Sequence, residues 1–109
     1  MEWTVLLYKS KRNESSVEEF IEKQQPQAQA KILHQINLLQ LYGSKLGMPH
    51  SKIIISGIYE LRIRGKEEIR IFYCFSMKTI YLLHGFKKQT QKTPQKELKI
   101  ALRRYKTLT

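Results

Sequence analysis

The chain has 109 residues, 41% of them hydrophobic, and a formal net charge of +11 at pH 7. That length allows one domain, residues 1–109, with one modest core, and no hydrophobic run reaches membrane-spanning length. A single cysteine, Cys74, excludes an internal disulfide and a multi-cysteine zinc site, and the nine acidic residues are all glutamates in no convergent pattern, which argues against a metal-assisted mechanism.

Trp3 to Tyr8 is short, aromatic and β-branched and reads as a first strand. Neither a charged lead-in nor a long apolar stretch marks it as an export signal, so the expected location is a reducing cytoplasm. Ser15 and Ser16 each precede a glutamate by three residues, a capping-box pattern that starts a short helix with Val17, Phe20 and Ile21 inward. Pro26 stops that helix near Gln24 or Gln25 and opens a second one. In the second helix Ile32, Leu33, Ile36 and Leu39 form an apolar stripe that runs up to Gly43, with His34 on the opposite, surface side.

Residues 46–52, which include His50 and Lys52, read as a loop, and Ile53–Ile55 lead through Ser56-Gly57 into a hairpin. Tyr59, Leu61 and Ile63 alternate there with Glu60, Arg62 and Arg64, so both arginines share a face. After a turn at 65–68, Arg70 projects to the face opposite Ile69 and Ile71, while Tyr73 and Cys74 read as core. Ser76-Met77-Lys78 reverses the chain again, and Thr79 to Phe86 is apolar on both faces, as in a central strand. The chain then turns basic, with Lys87, Lys88 and Lys92. Thr93-Pro94 opens a final helix with Leu98, Ala101, Leu102 and Tyr105 inward.

The charge is uneven: residues 1–59 hold seven Lys/Arg and five Glu, residues 60–109 thirteen and four. The second half carries the footprint of a polyanion-binding surface. Cationic side chains stay out of a sheet's interior unless something pairs them. The missing partner of Arg62, Arg64, Arg70 and the basic residues after the third strand is read as RNA phosphate.

The order strand, two helices, three antiparallel strands, terminal helix resembles the RelE/ParE superfamily of type II toxins. MPHSK at 48–52, IYELRIRGKEEIRIFY at 58–73 and LLHGFKKQTQKTP at 82–94 look like its phage-derived HigB subgroup. The resemblance implies an α+β, RelE-like fold: a small, twisted antiparallel sheet with two N-terminal helices packed on one face and a C-terminal helix, the helices on one side and a basic groove on the other. It also implies a ribosome-dependent mRNA interferase that cuts messenger in the ribosomal A site without a cofactor, restrained by a HigA-like helix-turn-helix antitoxin. The positions matching the family's phosphate contacts are Arg62, Arg70 and Lys87/Lys88. The pattern departs at Gln89-Thr90, where some relatives carry a further arginine, and Tyr105 does not match the tyrosine some relatives use, so the general base stays open.

Without a metal, the 2′-hydroxyl of RNA attacks the adjacent phosphate, and the protein must align the nucleophile, stabilise the phosphorane and handle two protons. Arg62 and Arg70 suit the phosphate oxygens, but an arginine does not easily act as a base. Lys87 or Lys88, crowded by like charge, or His84 or His50, would carry protons. Arg64, His50, Lys52 and Lys92 are the further RNA contacts. Each has a plainer reading: His84 as a hydrogen-bonded core histidine, His50 as a loop-surface residue, Arg64 as an edge residue paired with Glu60 or Glu67. Arg70, inside an apolar strand, is the hardest to explain structurally. The alternative function is ParE-like binding of DNA gyrase without catalysis.

Overall fold

The structure is a computed structural model that describes residues 2–55 and 57–108. Its elements are β1 (Thr4–Leu7), α1 (Ser16–Glu22), α2 (Pro26–Tyr42), β2 (Ser51–Ile55), β3 (Ile58–Ile63), β4 (Ile69–Ser76), β5 (Thr79–Lys87) and α3 (Gln95–Thr107). The α+β class and the RelE-like arrangement of helices and strands hold.

Local chemistry explains most of the boundaries. The Ser15 hydroxyl accepts the Glu18 N–H at 3.1 Å and caps α1. Pro26 is the first residue of α2, and Gly43, at φ 49°, ends it in a conformation that L residues rarely adopt. Met77 and Lys78, at φ 50° and 67°, make a two-residue turn between β4 and β5 of the kind whose twist matches the flanking strands. The last helix begins one residue later than its Thr93-Pro94 signal implied, with Pro94 at the N-cap.

The strand order is β1-β5-β4-β3-β2. The sheet is mixed rather than antiparallel throughout, because β1 runs parallel to β5 with Thr4 opposite Thr79 and Leu7 opposite Leu82. A further strand, β2, occupies residues that had read as a loop and its lead-in. It pairs with β3 through Ser51–Leu61 and Lys52–Glu60 and forms the sheet's outer edge.

The helices also divide between the two faces. On one, α1 and α2 bury Val17, Ile32 and Leu39 against Leu61, Ile71, Tyr73 and Leu82. On the other, α3 buries Leu98 and Ala101 against Phe72, Cys74, Leu83 and Phe86. The expected groove therefore shares its face with α3 instead of having that face to itself. Within α2 the inward side is Ile32, Gln35 and Leu39, at i, i+3 and i+7, whereas Leu33 is 57% exposed. Gly85 lies under α1 so closely that a Cβ there would sit 2.6 Å from the Phe20 ring.

One irregularity decides which side chains reach which face. The β4–β5 register pairs Tyr73 with Leu82 but Phe72 with His84, so Leu83 is an extra residue, a β-bulge. Before the bulge the even-numbered Ile80 and Leu82 join the α1–α2 core; after it Phe86 joins the α3 core. Side-chain parity along β5 is reversed across this point.

Candidate nucleic-acid interface

The α3 face changes character at the end of the helix. Arg62 on β3 stands directly opposite Arg70 on β4, and Glu60 opposite Phe72, so Glu60, Arg62 and Arg70 share that face. The Lys88 N–H donates to the Glu68 carbonyl at 2.8 Å, continuing the β4–β5 ladder and bringing Lys88 and Glu68 side by side. A groove of about 480 Å³ results, lined by Arg62, Arg64, Glu68, Arg70 and Lys88 and walled by residues 89–91.

Beneath the groove lies a buried ion-pair network. Arg70 is only 3% exposed and Glu60 1%. The Arg70 Nη2 donates to Glu68 Oε1 at 2.8 Å, its Nη1 to the Ile69 carbonyl at 3.0 Å, and its Nε lies 3.5 Å from Glu60 Oε1. Arg62 Nε lies 3.9 Å from the same Glu60 oxygen. Glu60 Oε2 and the two arginine Nε groups have no hydrogen-bond partner among the described residues, so Glu60 acts on both arginines through charge more than through aligned hydrogen bonds. This overturns the premise that Arg70 lacks a protein partner: two glutamates and a backbone carbonyl already occupy it. Glu60 pairs with Arg62 and Arg70 instead of with Arg64.

Glu68 is the carboxylate that faces the groove, with its side chain 39% exposed. The hydrogen bond from Arg70 holds its carboxyl below the usual carboxylate range against partial burial, and the charges of Arg70 and Arg64 act in the same direction.

The remaining candidates are scattered. Lys87 stands opposite Ile69, which belongs to the α1–α2 core, and pairs with Glu67 at 2.9 Å, so the two adjacent lysines point to different sides. His84 Nε2 lies 2.7 Å from Glu97 Oε1 on α3, with its ring stacked on Phe86 at 6.0 Å between centroids. Burial pushes its pKa down more than the Glu97 carboxylate raises it, so the ring is neutral at pH 7 and donates from Nε2. It is a hydrogen-bonded, partly buried histidine that ties α3 to β5, outside the groove.

His50 lies on the α2 side, where its Nδ1 accepts from Gln35 Nε2 at 3.2 Å while the same nitrogen donates to the Arg62 carbonyl at 2.8 Å. With Lys31 and His34 it lines a second groove, of about 420 Å³, whose rim is again Arg62 and Arg64. Those two arginines are therefore shared between grooves on opposite faces. Lys52 is exposed on the β2 edge, on the Glu60 side, and Lys92 is exposed in the loop before α3; neither lines the groove.

Two polar core groups are inert. Tyr73 donates to or accepts from Ser51 across the sheet, and burial pushes its phenol up to about 12. Burial likewise raises the Cys74 thiol to about 11, the wrong direction for a nucleophile.

Sequence reasoning passed over Glu68 and Gln35, and gave Glu60 a role only as a partner for Arg64. Glu60 sits two residues before Arg62 on a strand, so its shared face was legible; its link to Arg70 needed the cross-strand register. Glu68 read simply as part of a turn. Gln35 was hidden by the neighbouring leucines and isoleucines of its helix.

The family model described as phage-derived protein Gp49-like (DUF891) matches residues 19–106, a span that contains all of the groove and the ion pairs beneath it. No curated protein matches the chain.

Proposed function

The chain belongs to this Gp49-like, phage-derived family, a toxin-like family within the RelE/HigB superfamily, and from that premise we propose that it is a HigB-like toxin: a ribosome-dependent, metal-independent mRNA endoribonuclease. The observation that carries the reading is the groove in which Arg62, Arg64 and Lys88 converge beyond the end of α3. Three cations around one cleft suit the two non-bridging anionic oxygens of a phosphorane and the charge that develops on the leaving 5′-oxygen, and a guanidinium fork binds oxygens in two places at once. Among the described residues no three His, Cys or Glu side chains lie close enough to hold a metal ion, and attack by the RNA's own 2′-hydroxyl requires none.

In this reading a single-stranded messenger lays its scissile phosphate across Arg62, Arg64 and Lys88, and Arg70 stands behind as the group that fixes Glu60 and Glu68. Groove width and the clamp on the phosphate supply alignment of the nucleophile with the leaving 5′-oxygen. The partners are translated mRNA in the ribosomal A site, the ribosome, and a HigA-like antitoxin with a helix-turn-helix domain, all in the cytoplasm. No helix among the described residues is long and apolar enough to cross a membrane.

Primer extension on a translated reporter messenger after brief induction tests this. Cuts in codon register, confined to the translated reporter and weakened by roughly tenfold or more in Lys88→Ala, are the expected result. Growth arrest without cuts would overturn it in favour of a toxin that binds gyrase.

A further inference from the structure

A metal-free cleavage needs a group that is unprotonated at neutral pH and can reach the 2′-hydroxyl. The groove offers few. Arg62, Arg64 and Arg70 hold their protons, and Lys88 is the proton donor that the leaving 5′-oxygen requires. His84 lies outside the groove with its Nε2 committed to Glu97, and His50 opens on the second groove, on the other side of β3. Glu60 is 1% exposed beneath the arginines and touches no solvent from which substrate could come.

One carboxylate satisfies both conditions. Glu68 lines the groove, is partly exposed, and is held at 2.8 Å by Arg70 Nη2, a residue itself pinned by Ile69 and Glu60, with the Gly65 backbone N–H as a further donor to the carboxylate. On the reading of the groove as the site of RNA cleavage, we infer that Glu68 is the general base and Arg70 its positioning residue, so that Arg70 acts through Glu68 instead of on the phosphate.

The step balances without a co-reactant. The 2′-oxygen gives its proton to the Glu68 carboxylate and forms a bond to phosphorus. The bond from phosphorus to the 5′-oxygen breaks, and that oxygen takes a proton from the Lys88 ammonium, which lines the same groove. The products are a 2′,3′-cyclic phosphate and a 5′-hydroxyl, and solvent returns Glu68 and Lys88 to their starting states. The same hydrogen bond that orients Glu68 keeps it ionised, and a base of that kind is fully in its working form at any pH where ribosomes are intact.

Single-turnover cleavage of messenger on programmed ribosomes, measured with the full chain from pH ~5.5 to ~7.5, separates the candidates by the shape of the profile. Wild type should be flat across this window, whereas a histidine base gives a fall below about 6.5. Glu68→Gln should be slower by roughly 10²- to 10⁴-fold, with a rate that now climbs about tenfold per pH unit as hydroxide takes over proton removal. Its circular dichroism and its affinity for the ribosome should match wild type. His50→Gln and His84→Gln should keep the flat profile whatever their amplitudes. A Glu68→Gln protein that cuts within about threefold of wild type, or a wild-type profile that falls below 6.5, overturns the assignment while leaving the nuclease reading intact. A wild-type protein that cuts nothing overturns both.

Discussion

The α3 face of the sheet has two halves built on the same strands. Under the helix, Phe72, Cys74, Leu83 and Phe86 pack on Leu98 and Ala101. Past the helix N-terminus the sheet buries Arg70, at the next inward position of β4, and beside it Glu60, which stands on β3 opposite Phe72. An apolar pair of similar volume is often at least as stable as a buried ion pair. What the charges supply at the uncovered end is a floor of fixed electrostatic shape, on which Arg62, Arg64, Glu68 and Lys88 stand at the surface.

The sharpest way to break the comparison is to remove one member of the buried pair. Arg70→Ala strands Glu60 in a low-dielectric site and is expected to cost about 3–5 kcal/mol, a large share of a total that for such domains is about 5–15 kcal/mol. Chemical denaturation should show it, and loss of toxicity in this variant alone says little about catalysis. Replacing both residues, Arg70→Met with Glu60→Leu, should recover most of that stability and still be inactive. At the covered end, Phe72→Ala should cost a similar ~3–5 kcal/mol by leaving a cavity, with no charged group involved and no rescue by a second change nearby.

Next in size is the contrast between the adjacent lysines. Lys88→Ala should lower messenger cleavage by roughly 10- to 100-fold, about 1.4–2.7 kcal/mol of transition-state stabilisation, whereas Lys87→Ala removes only an exposed pair with Glu67 and should change cleavage little.

The smallest effect is one of pH. The folded pKa of His84 is depressed below its ordinary 6.5 by burial, with Glu97 opposing. As pH falls below 6.5 the unfolded chain takes up a proton that the folded protein resists, so the melting temperature should decline from that point. Glu68, depressed below its ordinary 4.5 by Arg70, adds a second decline only at lower pH still. His84→Gln should abolish the first decline and keep the second.

These contrasts also mark what the sequence made legible. The capping serine at Ser15, the break at Pro26, the alternation in β3 and the apolar face of α3 are local signals, and each placed its element to within a residue or two. The parallel β1–β5 pair joins residues more than seventy positions apart, which no short-range period encodes. Strand β2 was missed because Ile53 and Ile55 face solvent at a sheet edge, so its run of isoleucines has no polar alternation to announce a strand. At the site, Arg62, Arg64, Arg70 and Lys88 were legible as cations in the right region, and the structure brings them together. That Arg70 already has partners was not legible, because Glu60 reaches it across a ladder whose register the sequence leaves open.

The bulge at Leu83 gives the strand a reading frame. Up to Leu82 the frame is set by the Met77–Lys78 turn, and from His84 onward it is shifted by one. Were Leu83 paired with Phe72 in an unbroken ladder, one frame would run throughout: Lys87 would turn into the groove, Lys88 would turn out toward α1, and Gly85 would no longer lie beneath Phe20. Which of two chemically identical lysines meets the substrate is thus decided five residues upstream, by a count and not by the lysines themselves.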